Sequence, residues 1–172
     1  MSSTSGEGGG SRGYQRLKSH QTLGEVLETA MSFEQSAMEF YTQLLNRVSK
    51  PLRSLVQELA DEEREHYALF QQLKHNPDVT NHIGEHIRTP ANDHRFSNYI
   101  HLPDLGDHPD DQAVLQYALG REHAAMEQYT ALAEETPPSP LKDAFSFLAQ
   151  QELQHKQELE KRYYEIVHSG GV

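Results

Sequence analysis

The chain carries the same helical hairpin twice. Glu34-Gln-Ser-Ala-Met-Glu-Phe-Tyr41 returns as Glu122-His-Ala-Ala-Met-Glu-Gln-Tyr129, an interval of 88 residues. Pro51-Leu52 with Leu59-Ala60 and Glu63-x-x-His66 returns as Pro140-Leu141 with Leu148-Ala149 and Glu152-x-x-His155, an interval of 89. A repeat of this length is a supersecondary unit that cannot bury its apolar face alone, so the two copies are expected to pack on each other.

Four segments carry the three-to-four apolar spacing of an amphipathic helix. The first runs through Leu23, Val26, Leu27, Ala30, Phe33, Ala37, Phe40, Tyr41, Leu44 and Leu45 and is expected to end near Val48. Ser49 and Pro51 open the second, because proline is tolerated in a first turn where its missing N–H leaves nothing unpaired, and Leu52 to Leu73 carry it to about His75. Pro77, Gly84, Pro90, Pro103, Gly106 and Pro109 break the pattern over residues 76–109, a stretch too long for a tight hairpin and read as a crossover. A third helix starts around Asp110 and Asp111, whose charges suit the positive end of the helix dipole. It stops at Thr136-Pro137-Pro138, and Ser139-Pro140 starts a fourth that reaches about His168. The expected fold is an all-α four-helix bundle over residues 21–169, made of two hairpins joined by the crossover.

Glu63 and His66 are three apart, as are Glu152 and His155, so each pair projects from one helix face and can reach one metal ion together. Glu34 and Glu122 lie mid-helix among apolar neighbours, where an unpaired carboxylate is costly and calls for a cation or a proton. Two divalent ions would balance four carboxylates. The formal charge of −11 suits a chain that attracts cations and argues against nucleic-acid partners, which need a basic face. The absence of cysteine excludes disulfides, thiolate zinc sites, iron–sulfur clusters and thiol catalysis, leaving oxygen and imidazole as ligands. The Gly/Ser-rich start lacks the apolar core of a signal peptide and no run is apolar enough to span a bilayer. These features predict a cytoplasmic protein, with no membrane partner and a disordered tail from Met1 to about His20.

One Glu from each of two helices and a Glu-x-x-His from each of the other two is the ligand pattern of ferritin-like di-iron and di-manganese bundles. Over roughly Leu23 to His168 the chain resembles the rubrerythrin-related and bacterioferritin-like branch of the ferritin-like superfamily. The resemblance implies two iron ions, or manganese, held by Glu34, Glu63, His66, Glu122, Glu152 and His155. In that family the glutamates corresponding to Glu63 and Glu152 bridge or cap the ions, each histidine binds one, and Glu34 and Glu122 are terminal ligands. Oxygen or hydrogen peroxide then binds between the ions, and an unidentified donor supplies electrons. Tyr41 and Tyr129, seven residues after Glu34 and Glu122, correspond to tyrosines that hydrogen-bond ligand carboxylates.

The resemblance has departures. Full rubrerythrins add a cysteine-ligated iron module, and they carry a second ligand-capable Glu where this chain has Ala125. After His168 only Ser-Gly-Gly-Val follows, which points to a homodimer rather than a large shell. The implied activity is that of a non-haem dinuclear oxidoreductase of ferroxidase or peroxidase type. The alternatives are manganese catalase-like peroxide disproportionation, a non-catalytic metal-stabilised binding protein, and a purely structural bundle. Glu39, Glu127, Glu62, Glu65 and His123 are read as solvated or peripheral, Glu165 and His168 as a solvated helix end, and His75, His82, His86, His94, His101 and His108 as a polar loop, with Tyr99 and Ile100 pinning that loop to the bundle.

Overall fold

A computed structural model describes residues 19–89 and 104–169. The elements in chain order are β1 (Ser19–Thr22), α1 (Leu23–Leu44), α2 (Lys50–Lys74), α3 (Pro77–Thr80), β2 (His86–Thr89), α4 (Asp111–Glu135) and α5 (Pro140–Ser169). The four long helices form the expected bundle, with α1 packed along α2 and α4 along α5.

Helix α1 stops at Leu44, short of the expected Val48. The Leu44 carbonyl accepts from both Arg47 N–H, at 2.9 Å, and Val48 N–H, at 3.0 Å, so the chain closes into a tight turn. Val48 is nevertheless buried, which is why the apolar spacing runs past the end of the helix. Ser49 directs its hydroxyl to Asp111 at 2.6 Å rather than onto its own helix, tying the first hairpin turn to the start of α4. Asp110 caps α4 by accepting from Gln112 N–H at 3.0 Å. Thr22 caps α1 in the same way, accepting from Glu25 N–H at 3.1 Å.

The crossover contains more regular structure than its proline and glycine content suggests. Asn76 caps the single turn of α3, and β2 pairs antiparallel with β1, His20 opposite Arg88 and Gln21 opposite Ile87. The carbonyls of Glu85 and Ile83 accept from the N–H groups of Leu23 and Gly24, both at 2.9 Å, so the crossover satisfies donors that the first turn of α1 leaves open. Val79 and Ile87 are buried against Leu23 and Val26 and close that end of the bundle. The expected tail lies outside the described residues except for Ser19 and His20, which enter β1. Tyr99, Ile100, His94 and His101 lie outside them as well. Among the described residues no helix is long and apolar enough to cross a membrane.

The core is divided. One apolar cluster gathers Leu27, Phe33, Phe70, Leu132, Phe145 and Leu148, and the other gathers Phe40, Leu52, Leu59, Val114, Ala118 and Leu159. Between them, in chain order on each helix, sit Glu34, Glu63, Glu122 and Glu152, all buried. Phe145 is fully buried, with its ring 6.0 Å from that of Tyr129 and 6.1 Å from that of Phe70. Phe145→Ala is expected to destabilise the metal-free protein by about 3–5 kcal/mol, measured by urea unfolding.

Candidate metal centre

Each hairpin brings three candidate ligands to the polar layer and shares a fourth with the other. Glu34, Glu63 and His66, from α1 and α2, gather with Glu152 of α5. Glu122, Glu152 and His155, from α4 and α5, gather with Glu63 of α2. Within each group one oxygen or nitrogen per residue lies within 4.8 Å of the others, and Glu63 and Glu152 belong to both. Among the described residues these are the groups of three or more with metal-compatible spacing, and none of His75, His82, His86 and His108 enters either.

The imidazoles face the carboxylates through Nδ1. His66 Nδ1 lies 3.1 Å from Glu152, 3.4 Å from Glu63 and 3.5 Å from Glu34. His155 Nδ1 lies 3.6 Å from Glu122 and 3.7 Å from Glu152. The two rings are nearly parallel, with centroids 6.1 Å apart. Tyr41 donates to Oε1 of Glu122 at 3.0 Å, and Tyr129 donates to Oε1 of Glu34. The tyrosine contacts therefore run crosswise, each from one hairpin to the glutamate of the other.

The remaining inward atoms make no hydrogen bond: Oε2 of Glu34, Glu63 and Glu122, both oxygens of Glu152, and Nδ1 of both histidines. Buried polar atoms left this way are costly unless something else engages them. Carboxylate oxygens and imidazole nitrogens converging without hydrogen bonds are a donor set that fits divalent iron or manganese.

Protons offset part of the negative charge of these carboxylates. Burial pushes the Glu63 carboxyl well above the usual carboxylate range, and the charges of Glu152 and Glu34 push it further. Burial also opposes ionisation of Glu34, but the close approach of Glu63 and His66, the positive charge of His66 and the hydrogen bond from Tyr129 overcome it and hold Glu34 at about 2. Burial disfavours the charged form of both histidines, yet the surrounding carboxylates raise His66 well above its ordinary value and His155 to about 10. Burial keeps both phenols protonated, so Tyr41 and Tyr129 remain donors.

Three residues outside the expected set complete the centre. Gln151 Oε1 lies 2.6 Å from Nε2 of His66, and the carboxylate of Glu62 contacts Nε2 of His155. The sequence places Glu62 among the solvated or peripheral residues, and its side chain is 41% exposed, but its tip turns inward. Arg121 is buried, donates to the Phe33 carbonyl and lies over the Phe33 ring at 4.2 Å. The repeat held a signal for all three: Glu62 and Gln151 are counterparts, and Arg121 is the counterpart of Phe33. Ala125 is fully buried, so a methyl group fills the position of the additional glutamate. His123 pairs outward with Glu127 at 2.8 Å, Glu39 is exposed, and Glu165 and His168 lie on the exposed end of α5, as expected.

Raised histidines stabilise the fold fully below their ordinary 6.5, and that stability is lost as pH rises through the folded value of about 10 for His155. Raised Glu63, Tyr41 and Tyr129 also lose stability as pH rises, whereas Glu34, held at about 2, contributes above 4.5 and loses its share only as pH falls toward 2. Metal-free protein is therefore expected to weaken toward urea as pH rises from neutrality past about 10. Added Mn(II), which competes with the same protons, is expected to flatten that decline. Urea unfolding at stepped pH, with and without Mn(II), checks both.

A model of the rubrerythrin family matches residues 5–93, just over half of the 172-residue chain. Comparisons with curated proteins and with solved structures returned no match. The matched stretch carries Glu34, Glu63 and His66, and the internal repeat extends the same pattern to Glu122, Glu152 and His155. With two adjoining Glu/His groups buried in a four-helix bundle, as a di-iron carboxylate protein requires, the chain belongs to the rubrerythrin family.

Proposed function

We propose that Glu34, Glu63, His66, Glu122, Glu152 and His155 hold two iron ions and that the protein is an oxidoreductase acting on oxygen or hydrogen peroxide, of ferroxidase or peroxidase type. The observation that carries this reading is the sharing of Glu63 and Glu152 between the two groups. Two dications a few ångströms apart repel strongly in a dry interior, and anions placed between them offset that repulsion. A single ion has no such need. When bound, a pair of iron ions supplies two electrons to oxygen or peroxide, and manganese is the alternative occupant.

The chain's own residues orient, insulate and release protons. Each tyrosine occupies Oε1 of a terminal glutamate and leaves Oε2 facing the centre. Glu62 and Gln151 hold Nε2 of the histidines, so that Nδ1 is the nitrogen left to bind. All six candidate ligands are buried, between 0% and 6% exposed, which keeps bulk water from the reacting centre. Before metal can enter, the imidazolium protons and the Glu63 proton must leave, so uptake near neutrality is an exchange of protons for ions.

Anaerobic titration of metal-free protein with Fe(II), followed by oxygen or peroxide, tests the reading. The expected result is saturation at about two irons per chain with release of about two to three protons, then rapid oxidation that Glu63→Ala and Glu152→Ala abolish. Saturable binding without consumption of either oxidant would indicate a metal-stabilised binding protein instead. Peroxide loss confined to the Mn(II)-loaded form would indicate catalase-like disproportionation, and no saturable binding would leave a structural bundle.

A further inference from the structure

The two Glu-x-x-His turns are counterparts in the repeat, and so are the groups behind their imidazoles, but these last are not the same chemically. Glu62 immediately precedes Glu63, and Gln151 immediately precedes Glu152. Each reaches across to the histidine of the other hairpin: Gln151 Oε1 to Nε2 of His66 at 2.6 Å, and Glu62 Oε2 to Nε2 of His155. The other groups around the centre are matched pairs, Glu34 with Glu122, Glu63 with Glu152, and Tyr129 with Tyr41. Arg121 breaks the repeat too, but its charge reaches both tyrosines and so does not single out one imidazole.

A carboxylate behind an imidazole N–H does more than an amide carbonyl. Both fix the tautomer and the ring plane. The carboxylate also draws the proton toward itself, which raises electron density at the opposite nitrogen, and it adds a negative charge on the line to a bound cation. We propose that the carboxylate-for-amide difference between Glu62 and Gln151 makes the two metal positions unequal, so that the position served by His155 fills first and more tightly and the position served by His66 fills second. Glu62 and Gln151 are thus positioning residues, and the centre holds one resident and one exchangeable ion. This inference rests on the two-ion reading of the centre.

Stepwise titration of the metal-free full-length chain with Co(II), followed by its visible absorption, tests it. Outer partners of this kind change metal affinity by about 10- to 100-fold. Glu62→Gln is expected to weaken the tighter step by that factor and to leave the weaker step within about twofold. Gln151→Glu is expected to tighten the weaker step by a similar factor, a gain that a damaged fold cannot produce. The double variant E62Q/Q151E is expected to restore the separation of the unsubstituted chain. If Glu62→Gln spares the tighter step and weakens the other, or if Gln151→Glu moves neither, the inequality is wrong although two ions still bind. If the unsubstituted chain takes up no Co(II) saturably, the two-ion reading itself fails.

Discussion

Four carboxylates in the middle of a helical bundle are the constraint on which the rest of this structure depends. Moving one ionised carboxylate out of water costs several kcal/mol even after the surroundings relax, and like charges side by side cost more. The chain answers with positive charge and donated hydrogen bonds at short range: two imidazoles raised toward their charged form, one glutamate kept protonated, two phenols that donate, and a buried arginine nearby. The division of the apolar core follows from the same constraint. Phe33 and Phe70 belong to one cluster and Ala37 and Ala60 to the other, so the glutamates fall where apolar packing on α1 and α2 is interrupted.

The polar layer also joins the two halves. Close backbone packing is concentrated within each hairpin, α1 with α2 and α4 with α5, and is sparser between them. Several of the layer's polar contacts run the other way. Tyr41 to Glu122, Tyr129 to Glu34, His66 to Glu152 and Gln151, and His155 to Glu62 all cross from one hairpin to the other. Directional bonds in a fixed layer set the register of the hairpins, whereas apolar side chains alone would tolerate sliding by a turn. Loss of a crossing contact should therefore disturb the relative placement of the hairpins before it disturbs either hairpin.

The helices and the clustering of the six candidate residues were legible in the sequence because the repeat tests each assignment against its counterpart. A lone Glu-x-x-His is common on solvated helices, and Glu165 with His168 is such a case on the exposed end of α5. What the sequence obscured has physical reasons. Val48 continues an apolar spacing although its backbone has left the helix, because burial depends on where the side chain ends up and not on helical hydrogen bonding. The pairing of β1 with β2 joins segments far apart in the chain, and nothing local in Ser19–Thr22 announces it. Glu62 lies on a partly exposed face, and the length of its side chain lets the carboxylate reach inward from there. Arg121 is hidden by its charge, since a buried arginine is rare, and by its contacts with an aromatic ring and a backbone carbonyl, which no charge pattern in the sequence announces.

Protons occupy the metal-free centre in the role that cations take on the proposed reading. The carboxylates that would hold two dications also hold the His66 and His155 imidazoles and, together with burial, the Glu63 carboxyl toward their protonated forms. On that reading the gain from metal would come through atoms that make no hydrogen bond, above all both oxygens of Glu152.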